Sequence, residues 1–229
     1  MSRALRGDAA SNTIAIFALV LAFASAAFTA VFSYTTNRTQ EQEAKLNELH
    51  ALYPRISMLL STPNRSEPQD DELDAEIGVA DSLVAELHDH VASGDLLFIA
   101  EAYKARAFLS QAAPFYARAA QRAKTPNERL LGYRGSAYVA ALLGKVPIAE
   151  ESMRRAVAAA AGERDAVDRL TDNVTNQRLW VEVEGAMGRC PLVRRHARSF
   201  FAFRARLPPE INESQSDVAI VRSHLAACS

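Results

Sequence analysis

Five groups of residues in this chain carry types that could do chemistry, and each has to be weighed against a plainer role. Cys190 precedes a proline at an expected helix start, where a thiol can be acidified into a nucleophile. Cys190 and Cys228 could also pair as a disulfide in an exported domain, or serve as small buried side chains. His88 and His90 stand two apart, a spacing that points them to nearly opposite sides of a helix, so joint metal ligation is not expected. Gly144-Lys145 matches the end of a phosphate loop, but Val139 and Val146 occupy its first glycine and its Ser/Thr positions. No Gly-x-Ser-x-Gly elbow occurs. The acidic run Asp70, Asp71, Glu72, Asp74 and Glu76 falls at a helix start, where carboxylates complement the dipole without any cation. Asn37, Asn64, Asn173 and Asn212 open Asn-x-Ser/Thr triplets, which matter only in a eukaryotic secretory setting. No catalytic residue, metal or cofactor is expected.

The elements that would position these groups are helices. The 229 residues are 49% hydrophobic with a net charge of −1, enough for one membrane segment and one soluble domain. A near-neutral chain lacks the basic surface that nucleic acid requires, so that partner class is excluded. No alternating strand pattern stands out, and the fold class expected is all-α.

Residues 1–12 are short and polar. From 13 to 34 no charged residue occurs, and about 21 helical residues at ~1.5 Å each would cross a bilayer core. This segment is expected to be a transmembrane helix. Ala24-Ser25-Ala26 keeps a cleaved signal peptide open as the rival reading. Arg3 and Arg6 lie before the run, so the positive-inside rule places the N-terminus in the cytoplasm and the following domain outside it, with Tyr34 as an interfacial anchor. Residues 35–60 read as a juxtamembrane helix with a stripe at Leu46, Leu49, Tyr53, Ile56 and Leu60, and Pro54 is expected to kink or break it. Residues 61–71, with two prolines, read as a linker. A helical domain over 72–229 follows. Its first stripe, Leu73, Ile77, Ala80, Val84, Leu87 and Val91, is either a dimerising seam or one arm of a hairpin that caps the domain. Gly94 is expected to end that segment and Asp95 to cap the next helix.

A pattern then recurs. Leu96, Ile99, Ala100 and Tyr103 are followed by Ala112, Tyr116 and Ala119; Tyr133, Ser136, Ala137 and Ala140 are followed by Gly144, Ala149, Met153 and Ala156. Ala100 and Ala137 correspond at an offset of 37 (137 − 100), near the roughly 34-residue period of a tetratricopeptide repeat. Thr125-Pro126-Asn127-Glu128 between the copies is a capping box with proline at the first helical position. The pattern resembles the tetratricopeptide family, with Ala107 where the family often has glycine, and Ser136 and Ala140 in place of large residues. Units are expected at about 96–126, 127–162 and, degraded, 164–206, the last turning at Gly188. A capping helix is expected at about 214–227.

The resemblance implies a groove lined by the first helix of each pair, toward which Glu101, Lys104, Phe108, Arg134, Tyr138, Arg178 and Glu182 point. The carboxylate clamp of some family members is not matched, since Leu97, Glu101 and Gly135 hold its positions. The implied function is a single-pass, membrane-anchored adaptor that binds a protein or peptide near a bacterial inner membrane, its domain periplasmic, without catalysis. The alternative is a sensor or regulatory ectodomain that homodimerises through the helices at 41–93.

Overall fold

The computed structural model describes residues 33, 36–163, 165–208, 211 and 215–229. The expected membrane span at 13–34 lies outside them, apart from Ser33, as do the polar N-terminus and Tyr34. Among the described residues no helix is long and apolar enough to cross a membrane. Residues 36–61 are helical (α1), and the chain divides into two compact units after Ala51. The first unit contributes residues 36–51, helical and held on one exposed face by the Lys45–Glu41 ion pair. The rest concerns the second unit.

Beyond α1, the described helices are α2 (Glu67–Leu87), α3 (Ser93–Ala105), α4 (Leu109–Arg122), α5 (Pro126–Leu142), α6 (Val146–Ala160), α7 (Ala166–Ala186), α8 (Cys190–Arg204) and α9 (Gln215–Ala227), with a short 3-10 turn at His88–His90. No strand occurs among the described residues. Helices α3/α4, α5/α6 and α7/α8 pack as successive hairpins, and α3, α5 and α7 also touch in series. This is a helical array with close packing between neighbours.

Small residues sit where helices cross. Ala100, Ala112, Ala119, Ala137, Ala149 and Ala156 are all fully buried, with Ile99, Tyr116 and Met153 filling the gaps between crossings. Tyr133 is only half-buried, against Leu130, Ala156 and Ala160. The turns fall at Ala107, Gly144 and Gly188, each with a left-handed backbone at φ 60°, 69° and 69°. Their spacings are 37 (144 − 107) and 44 (188 − 144) residues. The longer third unit comes mainly from α7, with 21 residues against 17 in α5. At the unit junction Thr125 Oγ1 accepts the Glu128 amide at 3.2 Å, and Glu128 accepts the Lys124 amide at 2.8 Å, so α5 starts as its capping sequence requires.

Four boundaries differ from the sequence reading. Helix α2 begins at Glu67 rather than after Asp71, because Pro68 fits a first helical turn and Ser66 caps it with Gln69. Helix α1 runs on through Pro54 without a break. Helix α3 begins at Ser93, so Gly94 lies inside its first turn; the left-handed residue that ends α2 is His88, at φ 46°. Asp95 does cap α3, but from its third position, accepting the Ala92 amide at 3.2 Å.

The stripe on α2 is buried in the single chain: Leu73, Ile77, Ala80, Val84, Leu87 and Val91 are at most 3% exposed. The acidic run is engaged in ion pairs rather than merely solvated. Arg106 of the α3 C-cap binds Asp74 at 2.7 Å and Asp70 at 2.9 Å, and Arg65 binds Asp70 at 2.8 Å. Arg55 reaches Glu76 at 2.9 Å. The Arg65 hydrogen bond holds the Asp70 carboxyl below the usual carboxylate range. At the far end α9 packs on α7 and α8, with Val218 and Val221 joining Val181, Val193 and Phe200 in one apolar cluster. Cys190 and Cys228 form a disulfide between the start of α8 and the end of α9, Cα–Cα 5.2 Å, which resolves the three readings of Cys190 in favour of the bridge.

Candidate functional site

The first helix of each hairpin presents one face to a shared cleft of about 520 Å³. Helix α3 contributes Leu97, Glu101 and Lys104; α5 contributes Leu131, Arg134, Gly135 and Tyr138; α7 contributes Thr175, Arg178, Leu179 and Glu182. These are i, i+3/i+4, i+7 sets, the positions a helix stacks on one side. The turn spacings carry the equivalence through: Leu97, Arg134 and Arg178 are 37 and 44 residues apart, as are Glu101, Tyr138 and Glu182.

Six of the seven residues expected at the groove therefore line one cleft. Phe108 does not. It lies past the left-handed Ala107, at the N-cap of α4, with its ring against Tyr103 and under the Arg106 guanidinium at 5.8 Å. Leu131, Thr175 and Leu179 escape the sequence reading, which follows charged and aromatic side chains. Their positions, one turn before or beside Arg134 and Arg178, carry the signal that would have found them.

Charge in the cleft is arranged in local pairs. Lys104 pairs with Glu101 one turn before it, and its ammonium lies 5.9 Å from the ring centres of both Tyr116 and Tyr138. Tyr116 donates to Glu101 at 2.7 Å, from a ring that is fully buried; burial, strengthened by that carboxylate, pushes its phenol up. Arg134 is clamped from α7: Nε donates to Asn176 Oδ1 at 2.8 Å, and Nη2 to the Asp172 carbonyl at 2.8 Å and carboxylate at 3.1 Å. Burial lowers the Arg134 guanidinium and raises the Asp172 carboxyl, while the pairing opposes both shifts. Arg178 pairs with Glu182 one turn on and lies 3.2 Å from Asp217 of α9. Burial pushes the Glu182 carboxyl up against the pull of Arg178, and pushes the Tyr138 phenol up with help from Glu182.

A second groove of about 540 Å³ opens among α4, α5 and α6, lined by Ala113, Pro114, Tyr133, Ile148 and their neighbours. Nothing in the sequence reading anticipates it. Scans of this chain against protein-family models, curated proteins and solved structures find no match.

What the first cleft offers chemically is aliphatic surface from Leu97, Leu131 and Leu179 beside fixed hydrogen-bond donors. Its width is set by three helices from three hairpins, not by a loop.

Proposed function

We propose that this protein is a membrane-anchored, tetratricopeptide-like adaptor that holds an extended protein or peptide segment in the cleft of α3, α5 and α7, without catalysing a reaction. The observation that carries the reading is the convergence in one cleft of side chains at equivalent register on three successive first helices. Aliphatic patches interleaved with rigid donors suit a chain lying across the helices, its side chains on the leucines and its backbone and polar groups on the donors.

Two further features support an anchored, exported setting. The run at 13–33 is uncharged and long enough to span a bilayer. The Cys190–Cys228 bridge persists only where thiols are oxidised, which matches a periplasmic domain tethered to a bacterial inner membrane. Burial of the α2 stripe within the single chain takes those side chains out of any dimer seam, and on that ground we favour the adaptor over the dimerising alternative.

The test uses the full chain in detergent micelles and a displayed random-peptide library. Selected peptides should bind the wild type and bind Leu131→Asp about tenfold or more weakly, since an exposed leucine of the cleft becomes a buried charge on binding. Ile148→Asp, on the second groove, should leave them unaffected. Peptides lost in Ile148→Asp and retained in Leu131→Asp would move the site to the other face.

A further inference from the structure

The net charge of −1 hides a segregation of sign along the chain. Residues 189–229 hold seven arginines and three carboxylates, a surplus of four (7 − 3), so the rest of the chain sums to −5. Arg189 is taken by Glu150 and Glu184, and Asp217 by Arg178, which leaves six arginines against Glu210 and Glu213. Helix α8 itself carries four arginines and no carboxylate.

The fold turns that surplus to one side. Helix α8 buries Val193, Ala197 and Phe200 in the cluster it shares with α7 and α9, so Arg194, Arg195 and Arg198 fall within about one turn of each other on its exposed face. Arg206, just past its end, and Arg222 of α9 are exposed as well. Arg194 donates to the Cys228 carbonyl at 2.8 Å, and none of these five has a carboxylate partner among the described residues. The carboxylates of α7 behind them are engaged: Asp172 with Arg134, Glu182 with Arg178, Glu184 with Arg189, and Asp165 with the amides of its own helix start. Asp168 is offset by its neighbour Arg169. Pro191, Ala202 and Ala205 complete the exposed face of α8 and are short, so a planar surface can approach the guanidiniums without displacing a side chain. None of the five arginines lines the cleft of α3, α5 and α7.

Guanidinium forks match phosphate oxygens, and several on one face suit an array of phosphates rather than a single ion. Resting on the reading of an anchored, exported chain, the bilayer that holds the anchor is an anionic surface kept at high effective concentration. The Cys190–Cys228 bridge at the edge of this face belongs to an oxidising compartment, which weighs against nucleic acid as the polyanion. We propose that the arginine face of α8 and α9 docks on the anionic phospholipid headgroups of that bilayer, laying the third hairpin along the membrane with the cleft uncovered.

The test reconstitutes the full chain in vesicles of phosphatidylcholine, alone or with about one third phosphatidylglycerol. A fluorophore on Ala202→Cys, whose thiol is free while the native pair is bridged, reports energy transfer to a headgroup-labelled lipid. Transfer should rise with phosphatidylglycerol. It should fall when salt goes from about 0.1 M to about 1 M, which cuts the screening length from about 10 Å to about 3 Å. Each arginine near an anionic surface is worth about fivefold, so Arg195, Arg198 and Arg222→Gln together should lower the docked-to-free ratio about a hundredfold. Lys124, Lys145 and Arg154→Gln, which remove as many exposed charges from other parts of the array, should leave it unchanged. Melting of each variant in detergent checks that it is folded. A chain that floats with the vesicles but shows no response to phosphatidylglycerol, or loses transfer equally in both triple variants, would overturn the docking face and leave the anchor standing. A chain that does not float would overturn both. Binding of a labelled DNA duplex that is lost in the first triple variant, with no phosphatidylglycerol response, would reassign the face to nucleic acid.

Discussion

At the scale of single residues, Ala107 and His196 each carry a consequence for stability. Ala107 sits at φ 60°, where its equivalents in the next two units are Gly144 and Gly188. A left-handed alanine costs about 1–2 kcal/mol, because its Cβ crowds the following carbonyl. Ala107→Gly should therefore raise the unfolding free energy, measured by denaturant titration, by about 1 kcal/mol or less, after the added freedom of glycine in the unfolded chain is subtracted. His196 stacks on Trp180 with ring centres 4.9 Å apart, and its Nδ1 lies 2.9 Å from Gln177 Oε1. Burial lowers its pKa below the ordinary 6.5. The folded state thus favours the neutral ring, and the stability it contributes is complete above pH 6.5 and lost as pH falls through the folded value. The melting temperature of the wild type relative to His196→Phe should decline on acidification below pH 6.5. A constant difference across that range would show that His196 does not titrate differently on folding. Glu182, with a raised carboxyl, acts in the opposite sense in both proteins and cancels in the comparison.

Among the elements, the α4–α5 crossing is close-packed at two glycines, and the sequence conveys it poorly. A Cβ on Gly135 would stand 2.1 Å from the Tyr116 ring, and one on Gly132 would stand 2.7 Å from the Ala120 backbone nitrogen. Alanine normally gains about 1 kcal/mol over glycine inside a helix. Here it must displace a fully buried tyrosine, so Gly135→Ala should instead destabilise by at least about 2 kcal/mol, measured by denaturant unfolding. A neutral or stabilising result would mean that α5 can lift off α4 at little cost. The alanines at the close crossings, the turn residues and the Thr125 cap were all legible, because periodicity and capping are local chemistry. Gly132 and Gly135 were not: a glycine inside a helix reads as weak propensity until its neighbour across the crossing is known. The starts of α2 and α3 were misplaced for a related reason, since Pro68 and Gly94 are ambiguous between a turn and a first helical turn. Six cleft residues followed from counting along helices, whereas the grips behind them, Asp172, Asn176 and Asp217, depend on which helices become neighbours.

For the whole molecule, the ends of the array determine how its middle behaves. At one end Arg55 and Arg106 tie α1 and α3 to the acidic face of α2, and Tyr53 donates to Asp95 at 2.9 Å. At the other end the Cys190–Cys228 bridge closes a loop across a separation of 38 residues and ties the end of α9 to the start of α8, while Asp217 of α9 meets Arg178 of α7. Closing a loop of that length is worth about 4 kcal/mol in the chain-entropy account. Reduction should lower the unfolding free energy by up to that amount and loosen α9 first, seen as faster amide exchange at Val218 and Val221 than at Ala137. Equal exchange in both redox states would show that α9 docks without the bridge. The central claim is that the cleft of α3, α5 and α7 holds an extended segment. Its most direct test is to photo-crosslink a selected peptide to the full chain and map the adducts by mass spectrometry. Adducts should fall on α3, α5 and α7, around Leu97, Leu131 and Thr175. Adducts concentrated on α4 and α6, around Pro114 and Ile148, would contradict the account and make the second groove the binding face.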